Sequence, residues 1–199
     1  MNPLLPEKGN WAIVSSMHRN WYVRYLAKMR GKGGHGQNLM PRFVWQSFIG
    51  TLLAVCLLAW LCDALGSFAQ LMLIGSFGAT AAMIFGLPCS PYAQPRNVLS
   101  GHLLAALCGV SAWQLAGSVP WLACGLAVAC AVYLMHKTRT FHPPGGATAL
   151  IAVIGGPQVH ELGFAYAAMP VGLGMLFLIL LGVLINNTFL GRRYPFHWW

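Results

Sequence analysis

The feature that most constrains this chain is a succession of six apolar segments. They comprise residues 43–62, 67–87, 98–117, 119–136, 142–157 and 169–190. A helix needs about 20 mainly apolar residues to cross the hydrocarbon core of a bilayer. Only 8% of the residues are charged, whereas about a quarter are charged in an ordinary soluble domain. The sequence therefore predicts an all-α integral membrane protein.

Two of the six segments are irregular. The second, residues 67–87, is diluted by Gly and Ser, and the fifth, residues 142–157, is short, rich in Gly and begins with Pro143-Pro144. Irregular backbone at membrane depth is tolerated only where protein buries it or where it lines a polar cavity. We therefore expect broken or half-helices at these two positions.

The positions of the basic residues favour six crossings. If all six segments cross, with the N-terminus inside, all 12 Lys and Arg lie on the inner side, while Asp63 and Glu161 lie outside. If the irregular segments returned to the side they came from, Arg96, Lys137 and Arg139 would lie outside, against the positive-inside rule. The net charge of +9 then orients the chain and does not indicate nucleic-acid binding. We expect both termini to be cytoplasmic, in a bacterial inner membrane.

The irregular segments resemble each other in sequence. Residues 78–82 read GATAA and residues 146–150 read GATAL, and each stretch is followed by Gly and Pro. Spans one to three would then correspond to spans four to six. Because each unit has three crossings, the two would have opposite orientations, as in transporters built from inverted repeats. The sequence thus predicts a 3+3 inverted repeat.

The repeat suggests where an anion could bind. Half-helices beginning near Gly78 and Gly146 would bring their N-termini together inside the membrane, and free N–H groups at such ends attract anions. Thr80 and Thr148 lie in the first turns and add hydroxyl donors. The alternative is that the small residues only allow close helix packing.

Polar residues on the inner side extend this candidate site into a vestibule that would concentrate anions. His102 lies about one turn inside a span, where a buried polar ring needs a partner. For Lys137 and Arg139 a purely orienting role is an equally good interpretation, and His142 has the alternative of capping a helix. The complete set of predicted anion-binding or pathway residues is Gly75, Ser76, Gly78, Thr80, Gln94, Arg96, Asn97, His102, His142, Pro143, Pro144, Gly145, Gly146 and Thr148.

Other chemistry is disfavoured. No Asp or Glu lies near the centre of a span, which argues against cation pumps, and no paired carboxylates or Ser/His/Asp set indicates an enzyme. The six Cys lack metal-binding spacing and are expected to act as small hydrophobic residues. We therefore expect no catalytic residues, no metal and no cofactor. Small-residue helix faces permit a homo-oligomer.

The chain is predicted to have three parts. Residues 1–42 form a basic cytoplasmic segment, residues 43–190 the transmembrane domain, and residues 191–199 a cytoplasmic tail. Within the first part, residues 11–30 are expected to form an amphipathic helix on an anionic inner leaflet, followed by a flexible glycine-rich linker, residues 31–38.

Several ordered motifs resemble the HPP family of integral membrane proteins, which is named for a His-Pro-Pro motif. They are residues 75–80 (GSFGAT), 93–97 (AQPRN), 101–102 (GH) and 142–148 (HPPGGAT). Members in cyanobacteria and plastids are associated with nitrite transport, so the resemblance implies a transporter or channel for a small monovalent anion, nitrite first. The family is often described with four spans, not six. The alternatives are a membrane scaffold or assembly protein that holds a partner, and a cation or metal transporter.

Overall fold

A computed structural model describes Met29, residues 40–65 and residues 75–198. The chain divides into two units, Met1–Asn38 and Leu39–Trp199, and the fold below is that of the second. The predicted amphipathic helix and glycine-rich linker lie outside the described residues, apart from Met29, as does the first part of the second apolar segment.

The described residues are helical and contain no strand. The α-helices are α1 Pro41–Leu65, α2 Gly75–Gly86, α3 Pro95–Ala116, α4 Pro120–Lys137, α5 Gly145–Ile154, α6 Pro157–Leu162 and α7 Leu173–Asn186. A 3₁₀ turn, Pro91–Ala93, precedes α3, and a π-helical turn, Ala167–Gly172, precedes α7. Proline begins four of these helices, where its missing N–H and fixed φ cost nothing.

Four helices are long and apolar enough to cross a membrane. They cover Pro41–Ala64, Pro95–Ala116, Pro120–Lys137 and Ala167–Asn186. The described part of the second predicted segment, residues 75–87, contains α2 with 12 residues, and the fifth contains α5 with 10. At 1.5 Å per residue these are about 18 and 15 Å long, well below the roughly 30 Å of a hydrocarbon core.

The outer faces of the long helices are apolar. Leu52 on α1, Leu126 on α4 and Leu180 on α7 are all exposed. Exposed leucines along every long helix are costly in water but suit contact with lipid tails. The helical bundle is therefore that of a membrane protein, as the sequence predicts.

Hydrogen bonds gather several helix ends at one end of the bundle. The Arg192 guanidinium donates to the carbonyls of Phe43, at the start of α1, and Phe85, at the end of α2. Arg96, at the start of α3, donates to the carbonyl of Thr138, just after α4. We call this the basic end; its residues are Arg42, Arg96, Lys137, Arg139, Arg192 and Arg193.

The two acidic residues among residues 40–65 and 75–198 lie at the other end. Asp63 is near the end of α1, and Glu161 is in α6. The neighbouring His160 stacks on Trp113, close to the end of α3, with ring centroids 3.7 Å apart. The two kinds of charge are therefore separated along the bundle axis.

The third helix of each predicted repeat packs on the other repeat. Helix α3 contacts α4 and α5, whereas α7 contacts α1 and α2. Glycine and alanine make the first of these contacts close: a Cβ on Gly109 of α3 would lie 2.6 Å from the Cβ of Ala152 on α5. The two short helices are thus each held by a pair of long ones, which keeps their polar residues away from lipid.

Candidate functional site

Five polar side chains meet in the interior where α2, α3 and α5 come together. They are Ser76, Thr80, His102, His142 and Thr148, and each is 0% exposed. All five belong to the predicted site. A polar group buried without a partner in a membrane protein is costly, so the hydrogen bonds among these side chains decide how the site is held.

Thr80 joins the two histidines. Its Oγ1 lies 2.8 Å from Nε2 of His102 and 3.0 Å from Nε2 of His142. The centroids of the two imidazole rings are 4.8 Å apart. A single hydroxyl therefore bridges two rings that lie 40 positions apart in the chain, one within α3 and the other just before α5.

Each histidine has a second partner. Nδ1 of His142 lies 2.7 Å from the carbonyl oxygen of Tyr92, and Nδ1 of His102 lies 2.7 Å from Oγ1 of Thr148. The Thr148 hydroxyl is in turn 2.9 Å from Oγ of Ser76. The result is one continuous network, which we call the histidine–hydroxyl network; its members are Ser76, Thr80, His102, His142 and Thr148.

When both rings are neutral, one arrangement of the protons gives every ring nitrogen a partner. A carbonyl only accepts, so His142 carries its proton on Nδ1 and its Nε2 accepts from Thr80. Thr80 has only one proton, so His102 must donate to it from Nε2, and Nδ1 of His102 accepts from Thr148. The Thr148 hydroxyl then donates to His102 and not to its other acceptor, Oγ of Ser76. In this arrangement every ring nitrogen has a partner and the two rings are opposite tautomers.

Two glycines allow the turn that carries His142 to approach α3. A Cβ on Gly101 would lie 2.7 Å from Cβ of His142 and 3.0 Å from the carbonyl oxygen of Thr140. A Cβ on Gly145 would lie 3.1 Å from the carbonyl oxygen of Gly101. These contacts leave no room for a side chain, so Gly101 and Gly145 set the position of the His142 ring.

The N-terminus of α5 does not offer the free N–H groups that the sequence suggests. The amides of Gly145, Gly146 and Ala147 donate to the carbonyls of the three preceding residues, at 2.9, 3.0 and 3.1 Å. The backbone N–H groups that the sequence leads us to expect free at this helix end are therefore already paired. The His-Pro-Pro turn itself satisfies them, and side chains form the polar interior.

The two glycines of the repeated motif, Gly78 and Gly146, have open space around them. A Cβ on Gly146 would meet only Val128 Cγ1, at 3.8 Å, and one on Gly78 would meet no described atom within 4 Å. Among the described residues, neither position needs glycine for close packing against another helix. Gly75, Gly78 and Pro143 are exposed, whereas Pro144 and Gly145 are buried beside the network.

The three predicted vestibule residues at the start of α3 tie the basic end together. Asn97 donates to the carbonyl of Phe141 at 2.9 Å, and Arg96 donates to that of Thr138 at 3.2 Å. Gln94 is fully buried. Its amide donates to the carbonyls of Pro88 and Ser90, and its Oε1 accepts from the N–H of Phe196.

A groove of about 410 Å³ runs past Arg96 on the outside of the bundle. Its lining residues are Arg96, Ser100, Leu103, Leu104, Leu107, Thr138 and Thr140. Neither His102 nor His142 contributes to it. Arg96 therefore lines a groove that does not include the histidine–hydroxyl network, whereas the sequence predicts that both belong to one pathway.

Arg192 is a polar residue that the sequence analysis did not single out. It is 9% exposed, and burial lowers the pKa of its guanidinium. All five of its N–H groups have acceptors, which are the carbonyls of Phe43 and Phe85 and the side chains of Gln46, Ser47 and Asn186. An arginine whose five donors are all occupied holds helix ends together and has none left for an anion.

Two tyrosines were also missed. The Tyr166 hydroxyl donates to the carbonyl of Thr148 at 3.4 Å, and the Tyr92 carbonyl accepts from His142. Neither tyrosine could be recognised from the sequence, because Tyr92 acts through its backbone carbonyl and Tyr166 bonds to a residue in another helix.

Among residues 40–65 and 75–198, no group of three or more His, Cys, Asp or Glu side chains is placed to hold a metal ion.

Comparison with known proteins agrees with the motifs. Two curated transmembrane proteins of Dictyostelium discoideum are 37% and 36% identical to this chain over 187 and 183 residues, each match covering 90% of the chain. The matches cover 65% and 58% of those relatives, so the chain spans less than two thirds of their length. No solved structure matches. The model of the HPP transmembrane region matches residues 37–195, and the chain therefore belongs to the HPP family of membrane proteins.

Proposed function

We propose that this protein is a transporter for small monovalent anions, with nitrite the first candidate substrate. The observation that carries the proposal is the histidine–hydroxyl network, which has five fully buried polar side chains inside a lipid-exposed bundle. Polar and ionisable residues at membrane depth are expensive and mark substrate pathways. The nitrite assignment rests on the likeness to family members that are associated with nitrite transport.

The charge of the basic end supports an anionic substrate. It contains six Lys and Arg, and the described acidic residues, Asp63 and Glu161, lie at the opposite end of the bundle. Clustered positive charge at the mouth of a low-dielectric path raises the local concentration of anions. We place this end on the cytoplasmic side, following the positive-inside rule; the bacterial inner membrane stays a prediction.

We further propose that α2 and α5 belong to two additional crossings, which makes six in a 3+3 inverted repeat. The exchange of the third helices, α3 packing on α4 and α5 while α7 packs on α1 and α2, is what a two-fold axis in the membrane plane produces. The helix ends gathered at the basic end by Arg192 and Arg96 also suit six alternating segments.

In this mechanism the described conformation is closed. The five network side chains are inaccessible, so an anion reaches them only when α2 and α5 separate. The separation would free the Ser76–Thr148 contact and turn the hydroxyls of Ser76, Thr80 and Thr148 towards the opening. Each short helix would move with the long helices that hold it, since inverted-repeat transporters alternate access largely by rigid-body movement of one bundle against the other.

The test is anion flux in liposomes that contain the purified full chain. Internal nitrite, nitrate, formate and chloride are followed, and the leak of protein-free liposomes is subtracted, since neutral nitrous and formic acid cross lipid unaided. We expect saturable flux of at least nitrite. If no anion moves faster than in protein-free liposomes, with or without a pH gradient, the transporter proposal fails and a scaffold role takes its place.

A further inference from the structure

We propose that the protein carries one proton with each anion, and that the proton is held on a relay formed by His102, Thr80 and His142. This inference rests on the proposed function and adds the coupling ion. Two imidazoles with their Nε2 atoms 2.8 and 3.0 Å from one hydroxyl oxygen form a connected path along which a proton can move without any side chain being displaced.

The proton step balances within these three residues. A proton that arrives on Nδ1 of His102 makes that ring an imidazolium. Its Nε2–H bond breaks and the proton joins Oγ1 of Thr80, while the Thr80 O–H bond breaks and its proton joins Nε2 of His142. His102 is then neutral, Thr80 again has one proton, and His142 is the imidazolium.

Each hydroxyl has a second acceptor that it can use when its ring is protonated. Thr80 Oγ1 lies 2.9 Å from the carbonyl oxygen of Ser76, so its proton can turn there when Nε2 of His142 becomes a donor. Thr148 can likewise donate to Oγ of Ser76, 2.9 Å away, when Nδ1 of His102 becomes a donor. The network therefore keeps every ring N–H and both threonine hydroxyls paired in the neutral and in the singly protonated state.

The surroundings supply no negative charge to the imidazolium. Among the described residues, the recorded neighbours of the two rings and three hydroxyls are the ring of Phe77, the phenol of Tyr166 and the Tyr92 carbonyl. Of these only the Tyr166 phenol can ionise, and it donates to a carbonyl. Within residues 40–65 and 75–198 the acidic residues are Asp63 and Glu161, both at the opposite end of the bundle.

A buried charge without a counter-charge is strongly unfavourable. The proton and a monovalent anion therefore stabilise each other in the interior, and neither is expected to enter alone. The resulting transport is electroneutral, with one proton and one anion moving in the same direction. A pH gradient should drive it, and a membrane potential should not.

Two gradients applied to the same proteoliposomes test this. Anion uptake and internal pH are followed with nitrite and with nitrate, whose conjugate acid is too strong to cross lipid as a neutral molecule. We expect an acidic exterior to drive uptake with one proton per anion, and a potassium–valinomycin potential to change the rate less than twofold. Anion flux that follows the potential and ignores the pH gradient overturns the coupling but keeps the anion transporter; flux of no anion removes both.

Variants locate the proton. His102→Gln and His142→Gln keep a hydrogen-bonding side chain, but the Gln amide does not take up a proton as an imidazole does. We expect each variant to lose the response to the pH gradient. His136→Gln is the control, because His136 is exposed and stacks only on Phe141. If both network variants keep wild-type coupling, the proton travels elsewhere and the relay is rejected.

A spectroscopic measurement on the wild-type chain covers the case in which the variants do not fold. Solid-state NMR of ¹⁵N-histidine-labelled protein in bilayers reports the tautomer of each ring. We expect two opposite neutral tautomers, with His142 protonated on Nδ1 and His102 on Nε2, and an imidazolium signal from this pair on acidification with nitrite present. Identical tautomers for the two rings would contradict the relay.

Discussion

The hydroxyls of Ser76 and Thr148 lie 2.9 Å apart although 72 residues separate them. Four residues further along α2, Thr80 contacts His142, which lies before α5 begins. A later residue of α2 therefore contacts an earlier residue of the segment that contains α5. The N-terminal halves of α2 and α5 lie side by side in opposite directions, and this pairing brings the polar residues of both segments together.

Removing the bridging hydroxyl tests the network directly. Thr80→Val keeps the shape of the side chain but leaves the His102 N–H without an acceptor and Nε2 of His142 without a donor. We expect the protein to lose about 1–3 kcal/mol of stability, the cost of an unsatisfied buried polar group, and Thr80→Ser to recover most of it. Thermal unfolding in detergent measures both.

The matched control for that change is Thr51→Val on α1. Thr51 lines an apolar surface groove beside Leu52 and Cys56, where a methyl group replaces the hydroxyl at little cost. If Thr80→Val is as stable as Thr51→Val, the bridging geometry does not contribute to the fold.

Glycine positions provide a second test, because the structure reverses what the sequence suggests. Gly101→Ala would force a Cβ to within 2.7 Å of Cβ of His142, and we expect overpacking to cost about 1–3 kcal/mol. Gly146→Ala has its nearest contact at 3.8 Å and should stabilise its helix by about 0.5–1 kcal/mol. Melting temperatures that fall in the opposite order would show that the approach of α3 to the His-Pro-Pro turn is not as close as described.

Much of the fold follows from the sequence. Runs of about twenty apolar residues predict the four long helices. The Gly and Pro residues of the second and fifth segments predict that these two are broken or half-helices. The anion-site hypothesis also selected all five residues of the histidine–hydroxyl network. Polar residues that are rare within apolar segments stand out in a sequence.

What the sequence does not contain is the register between segments. It could not show that Thr80 contacts both rings, since this depends on how far α2 slides along α5. It attributed the site to backbone N–H groups near Gly146, whereas the turn at residues 142–144 satisfies them locally. Nor did anything distinguish Arg192 from the other basic residues, because its acceptors come from three separate helix ends.

The separation of charge along the bundle predicts which residues face the same compartment. In a background with the six native cysteines replaced, Arg139→Cys and Glu161→Cys each introduce one exposed thiol. We expect a membrane-impermeant maleimide to label them from opposite sides, with Arg139→Cys reached from the cytoplasmic side. Labelling of both from one side would mean that the chain between them does not cross, and the six-crossing arrangement would be wrong.

Arg192 gives the sharpest stability prediction. Lysine keeps the positive charge but has three N–H donors, whereas the guanidinium contacts five acceptors contributed by the start of α1 and the ends of α2 and α7. Arg192→Lys therefore leaves at least two of these five acceptors unpaired. Hydrogen bonds to charged groups are worth about 1.5–3 kcal/mol each, so we expect a loss of roughly 3 kcal/mol or more.

The adjacent Arg193 is the control for this change. It is exposed, so Arg193→Lys should leave the melting temperature within about 2 °C of wild type, since surface substitutions usually stay within about 0.5 kcal/mol. Because Arg192 joins three helix ends outside the histidine–hydroxyl network, its loss should also loosen α2 relative to α1 and α7. Hydrogen exchange of the amides at the end of α2 should therefore accelerate in Arg192→Lys and not in Arg193→Lys. Equal exchange in the two variants would mean that packing alone fixes the helix ends, with the guanidinium adding nothing that a lysine cannot replace.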